Sequence, residues 1–374
     1  MTPPAVSPRT TVLILAAVLA LPLAGALLAG RRLAEFTPFP PLLEIPTDHV
    51  RFSKPAVGAV AALLVAVALS WLVGRRKLAV TRNDAVAPPS AYPRKFPVWG
   101  WAALAWTFAW WTLAWTRWGG FEPFQQYTFF PLWLGFIVSA NAAIERRTGS
   151  CLMRRAPRRW LALFAASAAC WWAFEWLNRF VRNWHYLNVE RVGALEYFLH
   201  ATACFSTVLP AVAAVAEWLS SHERWNHAVR NGPAWTWLAR RDTAVALALF
   251  GCVSLFATGG RPQWFYPALW VSPLALLLAA PVLRSRPGLV HEMARGDWLR
   301  AATWMIAALV CGFFWELWNW HSLAKWIYTV PGVDRWHLFE MPGLGYAGYL
   351  PFGVECLLVA EWAVGDRWRS RASS

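Results

Sequence analysis

Between Thr11 and Gly30 the chain runs for twenty residues without a charged side chain. A helix rises about 1.5 Å per residue, so such a run matches the roughly 30 Å apolar thickness of a bilayer. Comparable stretches recur at about 55–74, 99–115, 160–180, 194–220, 243–260, 298–320 and 339–364, with shorter apolar segments ending at Trp133 and Trp270. Inside lipid every backbone N–H and C=O must find a partner within the chain, which leaves helices as the solution for segments of this length. The expected fold is therefore an all-α polytopic membrane protein with about ten transmembrane helices. With 58% hydrophobic and 15% charged residues, the chain is too apolar for an ordinary soluble protein.

The first span could be a cleaved signal peptide, but it exceeds the 7–15 residues of a usual signal core, which favours a retained helix. It is followed by EFTPFPPLLEIPTDHV, too rich in proline for a helix interior. A second span at about 55–74 and a basic linker from Arg75 to Pro97 complete a two-span leader, residues 1–96.

The remaining spans say one thing twice. From Cys170 the chain reads CWWAFEWLNRFVRNWHY, and from Cys311 it reads CGFFWELWNWHSLAKWIY. In each copy a Glu follows the Cys by five, an Asn follows the Glu by three, and Trp-x-Tyr closes the stretch. The offset between copies is 137 at Trp133/Trp270, 141 at Glu175/Glu316 and 144 at Glu196/Glu340. So small a drift, with insertions confined to loops, reads as tandem duplication of a four-span unit: residues 97–232 and 233–374. An even number of spans per unit leaves both copies in the same orientation, as parallel repeats.

The net charge of +15 invites a nucleic-acid reading, which the sequence does not support. The arginines sit in short segments between apolar spans, and no zinc spacing, RNP-like string or continuous basic helix is present. With ten spans and the N-terminus inside, cytoplasmic segments would hold about 24 of the 35 Lys and Arg residues. That predicts a multi-pass protein of the cell inner membrane, both termini cytoplasmic, with the motif copies ending on the outer side. Five of the six cysteines fall in apolar spans, a pattern of small buried hydrophobes and not of disulfides.

Glu175 and Glu316 are the first candidates for chemistry, because a carboxyl within a span is costly to keep. Asn178 and Asn319 share their helical faces and are the nearest expected partners. A structural hydrogen bond between helices is the competing reading. The second acidic pair, Glu196 and Glu340, opens the last span of each unit and is placed to approach the first pair. Two carboxyls in a low-dielectric pocket would leave one protonated, able to act as an acid. Asn178, Trp184, His185 and Tyr186 in the first copy, and Asn319, Lys325, Trp326 and Tyr328 in the second, are candidates for substrate contact. Glu196, His200 and His185 could be drawn as a metal site, but there is no HExxH and no repeated His pair, so no metal or cofactor is expected. Glu217 and Glu361, each before a Trp, read as charges at helix ends reaching headgroups. Glu355 lies deeper in its span.

Acids among aromatic walls suit carbocation chemistry, in which an acid protonates an alkene and aromatic faces stabilise the cation. At VGALEYF, containing Glu196, and HLFEMP, containing Glu340, the chain resembles the integral-membrane lycopene cyclases and their carotenoid-modifying relatives. The family motif is Pro-x-Glu-Glu/Asp followed by aromatics; both stretches here lack the Pro two residues before and the second acid. The resemblance covers the last two spans of each unit and implies an enzyme acting on an isoprenoid. As a whole the chain also looks like bacterial multi-pass proteins, which implies no activity. The expected function is acid/base chemistry on an isoprenoid or other lipid in a Trp-lined pocket open to the outer face, with the second copy as the working site. A membrane scaffold and a transporter are the alternatives.

Overall fold

The structure is a computed structural model that describes residues 8–41, 45, 52–79, 95–189 and 193–365. Its long helices are α1 (Pro8–Leu28), α2 (Lys54–Ala79), α3 (Val98–Trp115), α4 (Phe129–Thr148), α5 (Pro157–Val181), α6 (Ala194–Ser206), α7 (Val208–Ser220), α8 (Arg241–Gly260), α9 (Ala268–Leu283), α10 (Leu299–Trp320) and α11 (Tyr349–Val364). Among the described residues seven helical segments are long and apolar enough to cross a membrane, with α6 and α7 forming one of them. The 3-10 turn Gly119–Tyr127 and α4 pass the same test only when taken together, as a pair bent by 71°. Helix α3 has the length, but its six Trp lower its mean hydropathy, and α9 is shorter. Helix α2 runs to Ala79, further than the sequence suggests. The rest of the basic linker (80–94), the Pro-rich segment at 42–44 and 46–50, and the tail from 366 lie outside the described residues.

Helix α3 packs on α4 and α8 on α9, α4 lies against α7 and α9 against α11, and α7 and α11 each lie against both motif helices, α5 and α10. Aromatic contacts link each of α4 and α9 to the motif stretch of the other half. Trp133 of α4 sits against Trp315 and Trp318 of α10, with ring centroids 5.2 and 4.9 Å apart. Trp270 of α9 sits against Phe174 and Trp184, at 5.2 and 5.8 Å.

Helix α1 is part of this bundle. It crosses α8 so closely that a Cβ on Gly25 would lie 1.9 Å from the Phe256 carbonyl oxygen, and one on Gly259 1.8 Å from that of Pro22. Beyond α1 the chain is pinned by Phe36, buried and stacked on Phe180 at 4.5 Å. Arg179 donates to the Phe36 and Pro38 carbonyls, both at 2.8 Å. Helix α2 instead touches the bundle at its ends. The Ser53 N–H donates to the Gly332 carbonyl at 2.9 Å, and Trp71 meets Trp298 at 5.5 Å.

The Trp-x-Tyr stretches are strands, which the apolar pattern did not announce. β1 (Trp184–Leu187) pairs antiparallel with β2 (Lys325–Tyr328), so that Trp184 faces Tyr328, His185 faces Ile327 and Tyr186 faces Trp326. Their aromatic and β-branched residues favour extended backbone. The two Trp-x-Tyr stretches thus meet about a local two-fold centred on His185 and Ile327, the Trp of each copy facing the Tyr of the other. β3 (His337–Leu338) and β4 (Met341–Pro342) form a smaller hairpin beside it.

Candidate functional site

Each motif copy is a helix end tied to the strand that follows. Helix α5 ends at Val181, and Arg182 takes a left-handed conformation with φ 53°, a C-terminal turn that a non-glycine residue adopts at some cost. Asn178 then holds the returning chain: its Nδ2 donates to the Trp184 carbonyl at 2.9 Å, and its Oδ1 accepts from Asn183 N at 2.8 Å. In the second copy Asn319 Nδ2 donates to the Trp326 carbonyl at 2.7 Å, while Oδ1 accepts from Trp326 N at 2.8 Å. The two Asn residues therefore clamp strand backbone, and the carboxyls next to them on the same faces bond elsewhere. That departs from the pairing expected from helical spacing, because a buried peptide group needs a partner as much as a carboxyl does.

Glu175 is buried, and its Oε1 accepts from Trp171 Nε1 at 3.0 Å, Trp184 Nε1 at 3.1 Å and Tyr186 OH at 2.6 Å. Glu316 is also buried, but its Oε1 accepts from Tyr328 OH at 2.7 Å and Tyr349 OH at 2.8 Å. The indole of Trp326 donates to the Tyr328 hydroxyl at 2.8 Å, whereas its counterpart Trp184 reaches the carboxyl. One extra residue separates the Glu from the Trp-x-Tyr in the second copy, and this change of partner accompanies it. Tyr349 comes from outside the repeated stretch, held on Gly312, where a Cβ would lie 2.4 Å from its ring.

The two copies differ most in what they leave unpaired. Glu316 Oε2 is buried without a hydrogen-bond partner, and so are the indole N–H groups of Trp315 and Trp318 on the same helix. Trp133 and Trp111 pack against Trp318, and their buried N–H groups are unpaired too. In the first copy Trp171, Trp172, Trp176 and Trp184 all donate hydrogen bonds, and the buried group left unpaired there is Asn183 Oδ1. Buried polar groups are normally paired, so a cluster of exceptions calls for a ligand, a water or a reaction.

The other candidates scatter. His185 is buried at the centre of the ribbon, with Nε2 2.8 Å from Thr329 Oγ1 and 3.0 Å from the Arg182 carbonyl. Glu340 pairs with Lys325, which holds the β3–β4 hairpin to β2. Glu196 is exposed and accepts from the Tyr127 hydroxyl, at the edge of an open depression lined by Leu195, Leu199 and His200. The structure therefore brings Lys325, Glu340, Tyr328 and Glu316 to one end of the bundle, and places Glu196 on a separate surface. Among the described residues no group of three or more His, Cys, Asp or Glu is arranged to hold a metal ion.

The sequence reading missed Tyr349 and the anchoring of Glu217 and Glu361. Glu217 pairs with Arg155 at 2.6 Å, and Glu361 pairs with Arg300, which also donates to Glu292 at 2.7 Å. These ion pairs, in which the carboxylates are buried and the guanidinium groups reach the surface, lie at the end of the bundle opposite the ribbon. The signal was present for Tyr349, a Tyr in a Gly-rich turn ahead of a span, but nothing in the spacing said which carboxyl it would reach. No family model matches the chain, and comparison with curated proteins and with solved structures returns no match.

Proposed function

We propose that the protein is an integral membrane enzyme acting on an isoprenoid or other lipid, with the second motif copy as its working site. The observation that carries this reading is the collection of unpaired buried groups around Glu316, Trp315 and Trp318, set against a first copy in which Glu175 Oε1 accepts three hydrogen bonds and the Trp neighbours donate. Glu316 would act as acid and base, with Tyr328 and Tyr349 orienting Oε1 and leaving Oε2 to the substrate. Trp315, Trp318 and Trp133 would form the wall, and the Lys325–Glu340 pair would tie down the hairpin beside the entrance. Glu175, Asn178 and Asn319 would hold the frame.

The same reading includes ten spans: the seven helical segments above, with α3, the bent Gly119–Tyr127/α4 pair and α9 as the other three. It takes residues 97–232 and 233–374 as parallel repeats after a two-span leader, supported by the two-fold pairing of β1 with β2 and by the exchanged Trp contacts. It places the chain in the cell inner membrane with the ribbon outside and both termini cytoplasmic, supported by the distribution of Lys and Arg.

A scaffold without catalysis is favoured by one observation, the interlocking of the two copies through the ribbon and its Asn clamps. One experiment separates the readings. Membranes expressing the wild type, Glu316→Gln, Glu175→Gln or empty vector are compared by mass spectrometry of lipids and pigments, with melting in detergent followed in parallel. The enzyme reading expects a lipid change that Glu316→Gln abolishes and that folded Glu175→Gln retains. Lipids identical in all four samples, with lowered melting for both variants, would leave the scaffold.

A further inference from the structure

Helix α11 carries one carboxyl that belongs neither to the motif copies nor to the ion pairs at the opposite end. Glu355 is buried, and both of its carboxyl oxygens lack a hydrogen-bond partner. It lies six residues from Tyr349 and six from Glu361, about 9 Å along the helix from each. It therefore sits midway between the Tyr349–Glu316 hydrogen bond at the ribbon end and the Glu361–Arg300 pair at the other.

Its surroundings offer no counter-charge. Cys170 of α5 and its own neighbour Cys356 are close, with Cys311 of α10 next to Cys356. From α9, which carries no titratable side chain, the Leu274 amide faces it without reaching hydrogen-bond geometry. The remaining carboxyls on the helices packed around α11 are engaged elsewhere: Glu175 of α5 with Tyr186, Glu316 of α10 with two tyrosines, and Glu217 of α7 with Arg155. Among the described residues no charged side chain acts on Glu355. Duplication does not account for it, since only Ala and Val lie between Pro210 and Glu217 on the matching helix α7.

An ionised carboxylate enclosed in an apolar bundle without a partner is strongly disfavoured, and the group neutralises by taking a proton. Packing alone would be served better by Leu, so a carboxyl at this depth marks a function. Of the two polar groups equally near along the helix, Glu361 is held in its ion pair with Arg300, whereas Tyr349 continues through Glu316 to Tyr328 in the ribbon. We propose that Glu355 is a proton-binding site in the middle of the bundle, exchanging with the aqueous phase at the ribbon end by way of Tyr349 and Glu316. The distance from Tyr349 to Glu355 requires bridging water. This inference is independent of whether a lipid is the substrate.

The test uses the full chain in lipid bilayers and infrared difference spectra on exchange from H2O to D2O. A protonated carboxyl shows a C=O stretch that shifts on deuteration. Glu355→Gln is expected to remove a component of that band, Glu355→Asp to displace it, and Tyr349→Phe to keep it while slowing its exchange. A band unaltered by both Glu355 substitutions would overturn the site. Exchange in Tyr349→Phe as fast as in the wild type would overturn the route.

Discussion

At the scale of single residues, the duplicated motif separates two jobs that helical spacing appeared to join. The Asn amides bind backbone, and the carboxyls bind aromatic hydroxyls and indoles. Removing the Asn319 side chain would leave the Trp326 N–H and C=O without their partner in a part-buried site, so Asn319→Ala is expected to destabilise the protein by about 1–2 kcal/mol. Chemical denaturation in detergent would measure this. The motif tyrosines make a pH prediction. Burial first, and then the charge of Glu175, holds the Tyr186 hydroxyl well above the ordinary phenol range, and burial with Glu316 does the same for Tyr328. The unfolded phenols lose their protons near pH 10, before the folded ones, so stability present below that pH declines as pH rises above it. Melting temperatures measured from about pH 8 to 11 should therefore fall less steeply for the Tyr186→Phe/Tyr328→Phe variant than for the wild type.

At the scale of elements, glycines set how closely helices approach, and that closeness decides which side chains meet. Gly25 and Gly259 let α1 and α8 touch backbone to backbone, so Gly259→Val is expected to push α1 away. Cross-linking between cysteines introduced on α1 and α8 would then fall, while α5–α11 cross-links persist. Gly312 acts similarly on a smaller element: Gly312→Ala should move Tyr349 and break its 2.8 Å bond to Glu316. In the lipid comparison this variant should behave like a weakened Glu316→Gln; retention of full activity would remove Tyr349 from the proposed site. The long apolar helices were legible because hydrophobicity summed over a span is a local quantity. The ribbon was not, since four residues of aromatic alternation acquire a strand's identity only when a second strand pairs with them.

At the scale of the whole molecule, the proposed orientation has a direct check. Gly119, open to solvent in the turn before α4, and Arg295, exposed in the loop before α10, should lie on opposite sides of the membrane. A membrane-impermeant maleimide should label Gly119→Cys in intact cells and Arg295→Cys only after permeabilisation. The reverse pattern would invert the topology and place the ribbon in the cytoplasm.

That this chain is helical and apolar, that one Glu–Asn–Trp–Tyr stretch occurs twice, and which carboxyls stand in apolar surroundings can all be read from the order of residues. These follow from composition and spacing, which neighbouring residues settle among themselves. Long-range packing settled that the Asn residues clamp backbone, that Tyr349 and not Glu196 reaches a motif carboxyl, that Glu355 meets no hydrogen-bond partner, and that Glu175 Oε1 accepts three hydrogen bonds where Glu316 Oε1 accepts two. Such outcomes depend on which groups from distant parts of the chain arrive within about 3 Å of one another, and a one-residue difference in a loop is enough to change them.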